Sequence, residues 1–296
     1  MNVHNYLEER QELIDRALDR YLKECSRQPR NLSKAMRYSV FSGGKRLRPI
    51  LTMAVGELFG AKRRILIPFA CAVEMVHAYS LVHDDLPVLD NDDFRRGKPT
   101  AHKLFGEGIA LLTGDALLSE AFHLMTLPQV VRTLEPKLIL GLIGELSHAA
   151  GISGLAGGQA ADLEAEGREM NVATIEYIHV RKTGALILAA ARSGARIGGA
   201  KAKAVTKISR YAEFLGLAFQ IKDDLLDAED PPCGEREIAV SAKEQRKATY
   251  PSVVGSASAK ARAEELLQRC LKEIELFGKR AEPLREIAHY IIERNV

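Results

Sequence analysis

The chain has 296 residues, with 42 lysines and arginines against 39 aspartates and glutamates, so its formal net charge is +3. Hydrophobic residues make up 46% and charged residues 27%, which is typical of a soluble globular protein and excludes a disordered chain. A dedicated nucleic-acid-binding protein would carry a strong basic excess, so we expect no nucleic-acid partner.

The hydrophobic pattern is helical along nearly the whole chain. Leucine and alanine, both strong helix formers, dominate the apolar stripes, and alternating β-branched runs closed by Asn-Gly or Asp-Gly turns are absent. The sequence therefore predicts an all-α fold. No linker or repeat divides the chain, so we expect a single domain spanning residues 1–296. The predicted helices are Tyr6–Tyr21, Leu51–Phe59, Phe69–His83, Leu111–Met125, Leu138–Ala150, Ile175–Ala191, Ala202–Leu226, Ala259–Phe277 and Leu284–Ile292.

The N-terminus and the apolar stretches predict a cytoplasmic protein with no membrane span. The first ten residues are polar and charged, unlike a secretory signal. The apolar stretches Ile65–Met75 and Ala185–Ala191 are shorter than the roughly 18 residues that a span requires. The four cysteines are far apart and lack zinc-type spacing, which indicates structural thiols in a reducing compartment.

A glycine turn at Ser42-Gly43-Gly44 ends a helical stretch just before a basic segment. Lys45 and Arg48 follow this turn, and Pro49 suits the first turn of the next helix. Free backbone N–H groups and the positive end of the helix dipole favour an anion at such a position. The segment is therefore a candidate anion site.

The first acidic cluster, Asp84–Asp93, contains five carboxylates within ten residues. Carboxylates this dense repel one another, and a cation would relieve the repulsion. Pro87 lets the chain leave the preceding helix, so Asp90 can return towards the same ion as Asp84. Oxygen ligands of this kind suit Mg²⁺.

The second acidic cluster lies on one helix face, because its members are spaced by three, four and seven residues. It consists of Gln220, Asp223, Asp224 and Asp227. The rest of this helix is apolar, and carboxylates on a buried helix are costly unless they are paired or bound to metal. We interpret the two clusters as facing each other across a cavity that holds several Mg²⁺ ions.

Cations near these clusters indicate a polyanionic substrate, most naturally a diphosphate. His77 precedes Asp84 by two helical turns and shares its face, so it can point into the same cavity. The candidate cations are Lys45, Arg48, Arg95, Arg96, Lys182 and Lys247.

Together these residues resemble the trans-isoprenyl diphosphate synthases, the polyprenyl synthetase family. The resemblance runs from about residue 30 to the C-terminus, and it is greatest to bacterial members that make farnesyl diphosphate. The paired aspartate motifs and the FSGGKRLRP segment are highly specific. The matching motifs are Phe41–Pro49, Glu74–Pro87, Asp92–Thr100, Gly114–Leu117, Gly158-Gln159, Lys182–Gly184, Phe219-Gln220 and Asp223–Asp227.

The resemblance implies a single large helical bundle around a deep central cavity, usually as a homodimer. It implies Mg²⁺-dependent head-to-tail condensation of isopentenyl diphosphate with dimethylallyl or geranyl diphosphate to give the C15 product, farnesyl diphosphate. Three Mg²⁺ ions would be held by Asp84, Asp90 and Asp223. Their supporting carboxylates would be Asp85, Asp224 and Asp227.

The resemblance also assigns the substrate-binding residues. The allylic diphosphate would be held by Arg95, Lys182, Gln220 and Lys247. Isopentenyl diphosphate would be held by Lys45, Arg48, His77 and Arg96. The allylic carbocation would be shielded by the backbone carbonyls of Lys182 and Thr183 and by the Gln220 side chain.

Product length is assigned to two neighbouring residues. Ser80 lies one turn before Asp84, so its small side chain can line the path of the growing tail. Tyr79 lies about 140° round the helix from Asp84, so spacing alone does not direct it there. Within the family, an aromatic residue at this position is associated with a floor that stops growth near fifteen carbons. The resemblance therefore predicts a C15 product.

The chain departs from the family in the segment Ala228–Gln245, which we expect to be a mobile loop because Pro231-Pro232 excludes helix there. Glu237 stands where the family has a lysine. A carboxylate at this place would repel the allylic diphosphate unless a neighbouring cation compensates, so the prediction is weaker allylic binding. Measuring the allylic KM of a Glu237→Lys variant tests it.

Three alternatives stay open. A geranylgeranyl (C20) or geranyl (C10) diphosphate synthase differs by little more than the pocket floor. A class I terpene cyclase uses a similar acidic motif but has less need of a basic segment such as Lys45–Arg48. A non-catalytic subunit of a heteromeric synthase would be expected to lack one aspartate motif, and both are present here.

Overall fold

Helices make up nearly all of the regular structure in the computed structural model, which describes residues 2–24, 29–229 and 248–294. The prediction of an all-α fold is confirmed. Within the described ranges, the strands are limited to one hairpin of two residues per strand. One helix ends at Leu58 and another begins after Gly255, and backbone hydrogen bonds of the adjoining turns use the polar groups at these helix ends.

The elements of the first half are α1 Val3–Glu24, α2 Arg30–Val40, α3 Leu47–Leu58, α4 Arg63–Asp84, β1 Phe94–Arg95, β2 Lys98–Pro99, α5 Ala101–Phe105, α6 Glu107–Leu124, α7 Pro128–Val131 and α8 Pro136–Ala150. The elements of the second half are α9 Leu155–Ala165, α10 Val172–His179, a π-helical turn Val180–Gly184, α11 Ala185–Ile197, α12 Ala202–Glu229, α13 Tyr250–Val254, α14 Ser256–Ile274, a 3₁₀ segment Glu275–Ala281 and α15 Glu282–Glu293.

Helix α4 occupies the centre of the larger hydrophobic core. It is buried along most of its length and packs against α1, α2, α3, α6 and α11. A helix that is apolar on nearly all sides is stable only when neighbours cover it on all sides. Its last residue, Asp84, therefore emerges from the core with a fixed position and direction.

Helix α12 carries the second acidic cluster and connects the two main parts of the core. It packs against α11 and the π-helical turn, and its C-terminal half joins α10, α13 and α14 in a smaller core. The residues of this smaller core include Ile175, Leu217, Ile221, Leu225 and Tyr250. Packing on several sides thus fixes the face that bears the aspartates.

Two local features differ from the prediction. The stretch Ile175–Ala191 is not one helix, because the π-helical turn separates α10 from α11. A π-helical turn of five residues is too short to give a hydrophobic period of its own, so periodicity does not reveal it. The hairpin Phe94–Pro99 also went unpredicted, since two-residue strands are too short to show an alternating pattern.

Two segments have the length and composition of a membrane span, which corrects the expectation that no apolar stretch approaches that length. Arg63–Asp84 has a mean hydropathy of 1.7 and Pro136–Ala165 one of 1.5. The apolar window of the first is 78% buried inside the protein, as expected for a core helix. The second is interrupted by turns between α8 and α9. Length and composition alone are weak grounds for a span, and its absence stays a prediction.

Candidate active site

The first acidic cluster begins where α4 ends and folds back on itself. The backbone N–H of Asp90 donates to the carbonyl of Asp84 over 2.9 Å, and that of Asn91 donates to Leu86 over 3.1 Å. The backbone thus returns to the end of α4 within six residues. Asp84 and Asp90 are brought together, and Asp90 is buried.

Asp85 faces a different partner from Asp84. Arg95 Nε donates to Asp85 Oδ1 over 2.6 Å, and Arg95 Nη2 donates to Asp92 Oδ2 over 3.3 Å. Burial raises the pKa of Asp85 to about 6, although the Arg95 guanidinium opposes that change. Arg95 therefore neutralises part of the acidic cluster, in addition to the role towards the allylic diphosphate that the sequence predicts.

Arg96 reaches the basic segment through the hairpin turn. Arg96 and Gly97 both adopt positive φ angles, 53° and 72°, as in the tight turns that suit twisted hairpins. The turn directs the Arg96 guanidinium against Gly43 and Gly44, and Nη1 donates to the Gly43 carbonyl. A Cβ atom on Gly44 would lie 2.6 Å from Arg96 Nη1, so this contact requires glycine.

Arg48 connects α4 with α12. Its Nη1 lies 3.4 Å from His77 Nε2 on α4, and its guanidinium lies 5.9 Å from the centre of the Phe219 ring on α12. Lys45 is exposed and its Nζ lies 5.8 Å from the ring of Tyr290 on α15. Burial lowers the pKa values of both Lys45 and Arg48, and the nearby Asp223 carboxylate opposes that change in part.

His77 lies among several guanidinium groups. Burial lowers the pKa of His77 well below its usual value, and the charges of Arg48, Arg96, Arg95 and Arg46 lower it further. The imidazole is therefore neutral at physiological pH and adds a hydrogen-bonding group without another charge. Concentrated positive charge in a partly buried place is suited to an anion with several charges.

The second acidic cluster has one carboxylate that faces inward. Asp224 accepts a hydrogen bond of 2.7 Å from the backbone N–H of Tyr250 and a weaker one of 3.4 Å from Gln220 Nε2. His179 Nε2 lies 3.4 Å from Oδ2, the same oxygen that accepts from Tyr250. Burial raises the pKa of Asp224 to about 6. Asp224 thus ties α12 to α10 and α13.

Asp223 and Asp227 lie one turn apart on α12, at the neighbouring edge of the same face. Burial raises the pKa of each, and Arg294 opposes that change. Arg294 Nη2 donates to Asp223 Oδ1, and the same guanidinium lies 4.4 Å from the centre of the Phe219 ring. Arg294 stands near the C-terminus, outside every motif, so no pattern in the sequence indicated its role.

The π-helical turn presents Lys182 and Thr183 beside α12. Thr183 Oγ1 donates to Gln220 Oε1 over 2.7 Å, which orients the amide. Lys182 Nζ donates to Asp162 Oδ2 over 2.8 Å, a partner that sequence reasoning missed. A Cβ atom on Gly158 would lie 2.3 Å from the backbone nitrogen of Lys182, so α9 approaches the turn only because residue 158 is glycine.

The two chain-length residues both lie within α4. Ser80 is buried, and its Oγ donates to the His77 carbonyl over 2.9 Å. Tyr79 is buried too, with its hydroxyl 3.4 Å from the Ala150 carbonyl and its ring edge-on to His83 at 5.7 Å. The Tyr79 ring thus lies between α4 and the end of α8. Lys247 and Glu237 lie outside the described residues.

The carboxylates present fit magnesium, which binds one or two protein carboxylates and completes its shell with phosphate oxygens and water. Asp84 and Asp90 form one adjacent pair, and Asp223 with Asp227 forms another. Asp223 is half-buried and already paired with Arg294, so a bound ion would share that carboxylate with the guanidinium. Over residues 2–24, 29–229 and 248–294, no group of three or more His, Cys, Asp or Glu side chains could hold a metal alone.

The site combines two aspartate clusters with exposed and half-buried cations, and the comparisons with known proteins identify an enzyme of the prenyltransferase class. The chain belongs to the polyprenyl synthetase family, whose sequence model matches residues 29–287. It is 46% identical over 296 residues to the dimethylallyltranstransferase of Fischerella ambigua, covering 99% of this chain and 84% of that protein. It is 43% identical over 281 residues to the farnesyl diphosphate synthase of Geobacillus stearothermophilus, covering 94% of each.

A solved structure agrees with the sequence comparisons. The FPP/GFPP synthase from Zymomonas mobilis superimposes with a TM-score of 0.87 and 37% identity, covering 98% of this chain and 99% of that one. The predicted family is thereby confirmed.

Proposed function

We propose that the protein is a magnesium-dependent synthase that condenses isopentenyl diphosphate head-to-tail with dimethylallyl or geranyl diphosphate and releases farnesyl diphosphate. The observation that carries this proposal is Arg48. It lies between His77 and the α12 face that bears Asp223, and its buried Nε has no hydrogen-bond partner within the described part of the chain. A buried guanidinium with unused donors suits a phosphate oxygen.

We propose two diphosphate positions, as the family resemblance implies. The isopentenyl diphosphate would be bound by Lys45, Arg48, His77 and Arg96, which meet at the start of α3. The allylic diphosphate would be bound between the two acidic clusters, with Arg95, Lys182, Gln220 and Lys247 as its protein partners. Separate positions let the two substrates bind together with their hydrocarbon parts in contact.

Asp84, Asp90 and Asp223 are the proposed magnesium ligands, with Asp85, Asp224 and Asp227 in support and three ions per site. The chemistry that bound magnesium supplies is Lewis-acid stabilisation of the negative charge on the departing diphosphate. The protein cations named above share that charge.

The reaction proceeds through ionisation, condensation and elimination. The C–O bond of the allylic diphosphate breaks and leaves a carbocation, which the carbonyls of Lys182 and Thr183 and the Gln220 amide oxygen shield. Thr183 holds that amide in place through its 2.7 Å hydrogen bond. The double bond of isopentenyl diphosphate attacks the cation, and the released diphosphate removes the proton that restores a double bond. No nucleophilic side chain is needed.

Tyr79 is the proposed floor of the product pocket, and Ser80 is a residue of its wall. An aromatic ring that closes α4 against the end of α8 would stop a growing chain at fifteen carbons. A C20 or C10 product remains the alternative, and the position of this floor decides between them and C15. A non-catalytic subunit is disfavoured because both aspartate clusters are present.

The assembly and location are proposed on family grounds. We propose a homodimer of single-domain chains located in the cytoplasm, with no membrane span. Most of the span-length helix Arg63–Asp84 is covered by neighbouring helices, which supports this view.

A product assay tests the function. The protein is incubated with Mg²⁺, isopentenyl diphosphate and either dimethylallyl or geranyl diphosphate, and the chain lengths of the dephosphorylated products are measured by chromatography. We expect farnesol from either primer. No condensation would refute the synthase, and a C20 or C10 alcohol as main product would refute the product assignment alone.

A further inference from the structure

Arg46 points into the protein, whereas its cationic neighbours Lys45 and Arg48 face the site. It is 5% exposed, and its backbone lies in the left-handed region with φ 51° and ψ 30°. That region is uncommon for residues with a side chain and costs free energy. Contacts elsewhere must therefore hold this conformation.

The Arg46 guanidinium provides those contacts. Its Nη1 donates to Glu74 Oε1 over 2.7 Å, and its Nε donates to Asp15 Oδ1 over 2.8 Å. Its Nη2 donates to the Val40 carbonyl over 2.6 Å, and Nη1 also reaches the Gly43 carbonyl at 3.4 Å. One side chain thus joins α1, the end of α2, the glycine turn and α4.

The register on α4 connects these contacts to the site. Glu74 and His77 are three residues apart and therefore lie on neighbouring positions of the same helix face. Arg46 bonds Glu74, and Arg48 contacts His77 at 3.4 Å. Two arginines of the basic segment are thus matched to two residues one helical turn apart. If Arg46 releases Glu74, Arg48 loses one of the contacts that hold it in register with His77.

We propose that Arg46 is a positioning residue: its ion pairs with Glu74 and Asp15 set the backbone of Gly43–Arg48 so that Lys45 and Arg48 meet the diphosphate of isopentenyl diphosphate. Arg46 itself does not touch substrate. This inference rests on the proposed function, because it presumes that Lys45, Arg48 and His77 bind that diphosphate.

The test must separate positioning from stability, because removing one member of a buried ion pair leaves an uncompensated charge. The variant is therefore the double Arg46→Met/Glu74→Met, which removes both charges and keeps similar volumes. The matched control is Arg10→Met/Glu57→Met, which removes a partly buried arginine–glutamate pair, 2.9 Å long, between α1 and α3. Melting temperatures of both variants are measured first.

The readouts are kcat and the two substrate KM values. For Arg46→Met/Glu74→Met we expect the KM for isopentenyl diphosphate to rise about tenfold, equivalent to roughly 1.4 kcal/mol. The allylic KM and kcat at saturation should stay within about twofold to threefold. The control pair should leave both KM values unchanged. An unchanged isopentenyl KM in the folded double variant, or an equal rise of both KM values, overturns the proposal.

An Arg48→Ala variant distinguishes this inference from the function on which it rests. If Arg48→Ala raises the isopentenyl KM and Arg46→Met/Glu74→Met does not, only the positioning role is wrong. If the wild type condenses nothing, or Arg48→Ala leaves the isopentenyl KM unchanged, the substrate assignment is wrong and the positioning role falls with it.

Discussion

The carboxylates of the two Asp-Asp pairs are held by donors from distant parts of the chain. Asp85 is bonded to Arg95 and Asp224 to the backbone N–H of Tyr250, and burial raises the pKa of each to about 6. Asp223 accepts instead from a guanidinium near the C-terminus. Sequence spacing identified both pairs, but it could not show how each carboxylate is held, because the partners lie 10, 26 and 71 residues away.

Thr183 also acts as a single residue, because its hydroxyl orients the amide of Gln220. Replacing Thr183 by Val keeps the shape of the side chain and removes the donor to Gln220 Oε1, so the amide loses its fixed orientation. We expect kcat to fall about tenfold, since a lost buried hydrogen bond costs about 1–3 kcal/mol. The KM for isopentenyl diphosphate should change less than twofold. Steady-state kinetics with both substrates measures these values.

Thr113→Val is the matched control for that prediction. Thr113 is fully buried on α6 and donates to the Ile109 carbonyl over 2.7 Å. It therefore loses a hydrogen bond of equal length, but one that is local to its own helix. Equal losses of kcat in the two variants would contradict an effect specific to Gln220.

Replacing Tyr79 by Ala should lengthen the product beyond fifteen carbons, because removal of the ring opens space between α4 and the end of α8. The cavity should also lower stability by about 3–5 kcal/mol, so the assay is run below the new melting temperature. Product chromatography after dephosphorylation measures the outcome. Tyr79→Phe keeps the ring and loses only the 3.4 Å contact to Ala150, so it should still stop at C15. An unchanged product in Tyr79→Ala would disprove the floor.

At the scale of elements, periodicity predicted the long helices well and missed what interrupts them. The stripe Ala202–Leu226 corresponds to α12, Ala202–Glu229. The stripe Ile175–Ala191 instead contains the π-helical turn that presents Lys182 and Thr183. The turn packs closely against α9, and a local hydrophobic pattern does not carry such a tertiary contact.

Gly158 is the residue that permits this approach, and its replacement tests the idea. In Gly158→Ala the new Cβ would lie 2.3 Å from the nitrogen and 2.7 Å from the Cα of Lys182, so backbone must move. We expect a loss of about 1–3 kcal/mol in the free energy of unfolding, together with reduced kcat. Thermal melting and steady-state kinetics measure the two effects.

Gly144→Ala provides the comparison. Gly144 lies on an exposed face of α8 with nothing within 4 Å of the added Cβ. Alanine is favoured over glycine inside a helix by up to about 1 kcal/mol, so this variant should be as stable as the wild type or more so. If Gly158→Ala behaves in the same way, the close approach does not restrict residue 158.

At the scale of the whole molecule, buried charges join helices that are distant in the sequence. Arg46 connects α1, α2 and α4, while Asp224 connects α10, α12 and α13. The motifs revealed which residue types meet at the site. They could not reveal Arg46, Asp162 or Arg294 as partners, because each of these acts through a contact that exists only after the helices pack.

The molecule also exposes apolar side chains on adjoining helices α5 and α6. Leu104, Leu111 and Leu112 are 50%, 48% and 51% exposed. Exposed large apolar side chains on adjoining helices favour association with another protein surface. In the proposed homodimer, a second copy of this chain would cover them. A wild-type mass near twice 32.6 kDa is therefore expected by light scattering after size exclusion.

Leu112→Glu should convert that dimer to a monomer, because burying an unpaired carboxylate at an interface costs several kcal/mol. The same measurement on Leu276→Glu serves as control, since Leu276 is 60% exposed on the 3₁₀ segment, which packs on α14 and α15 rather than on α6. It should remain a dimer. A dimeric Leu112→Glu protein with native melting behaviour would place the interface elsewhere, and a monomeric wild type would refute the homodimer itself.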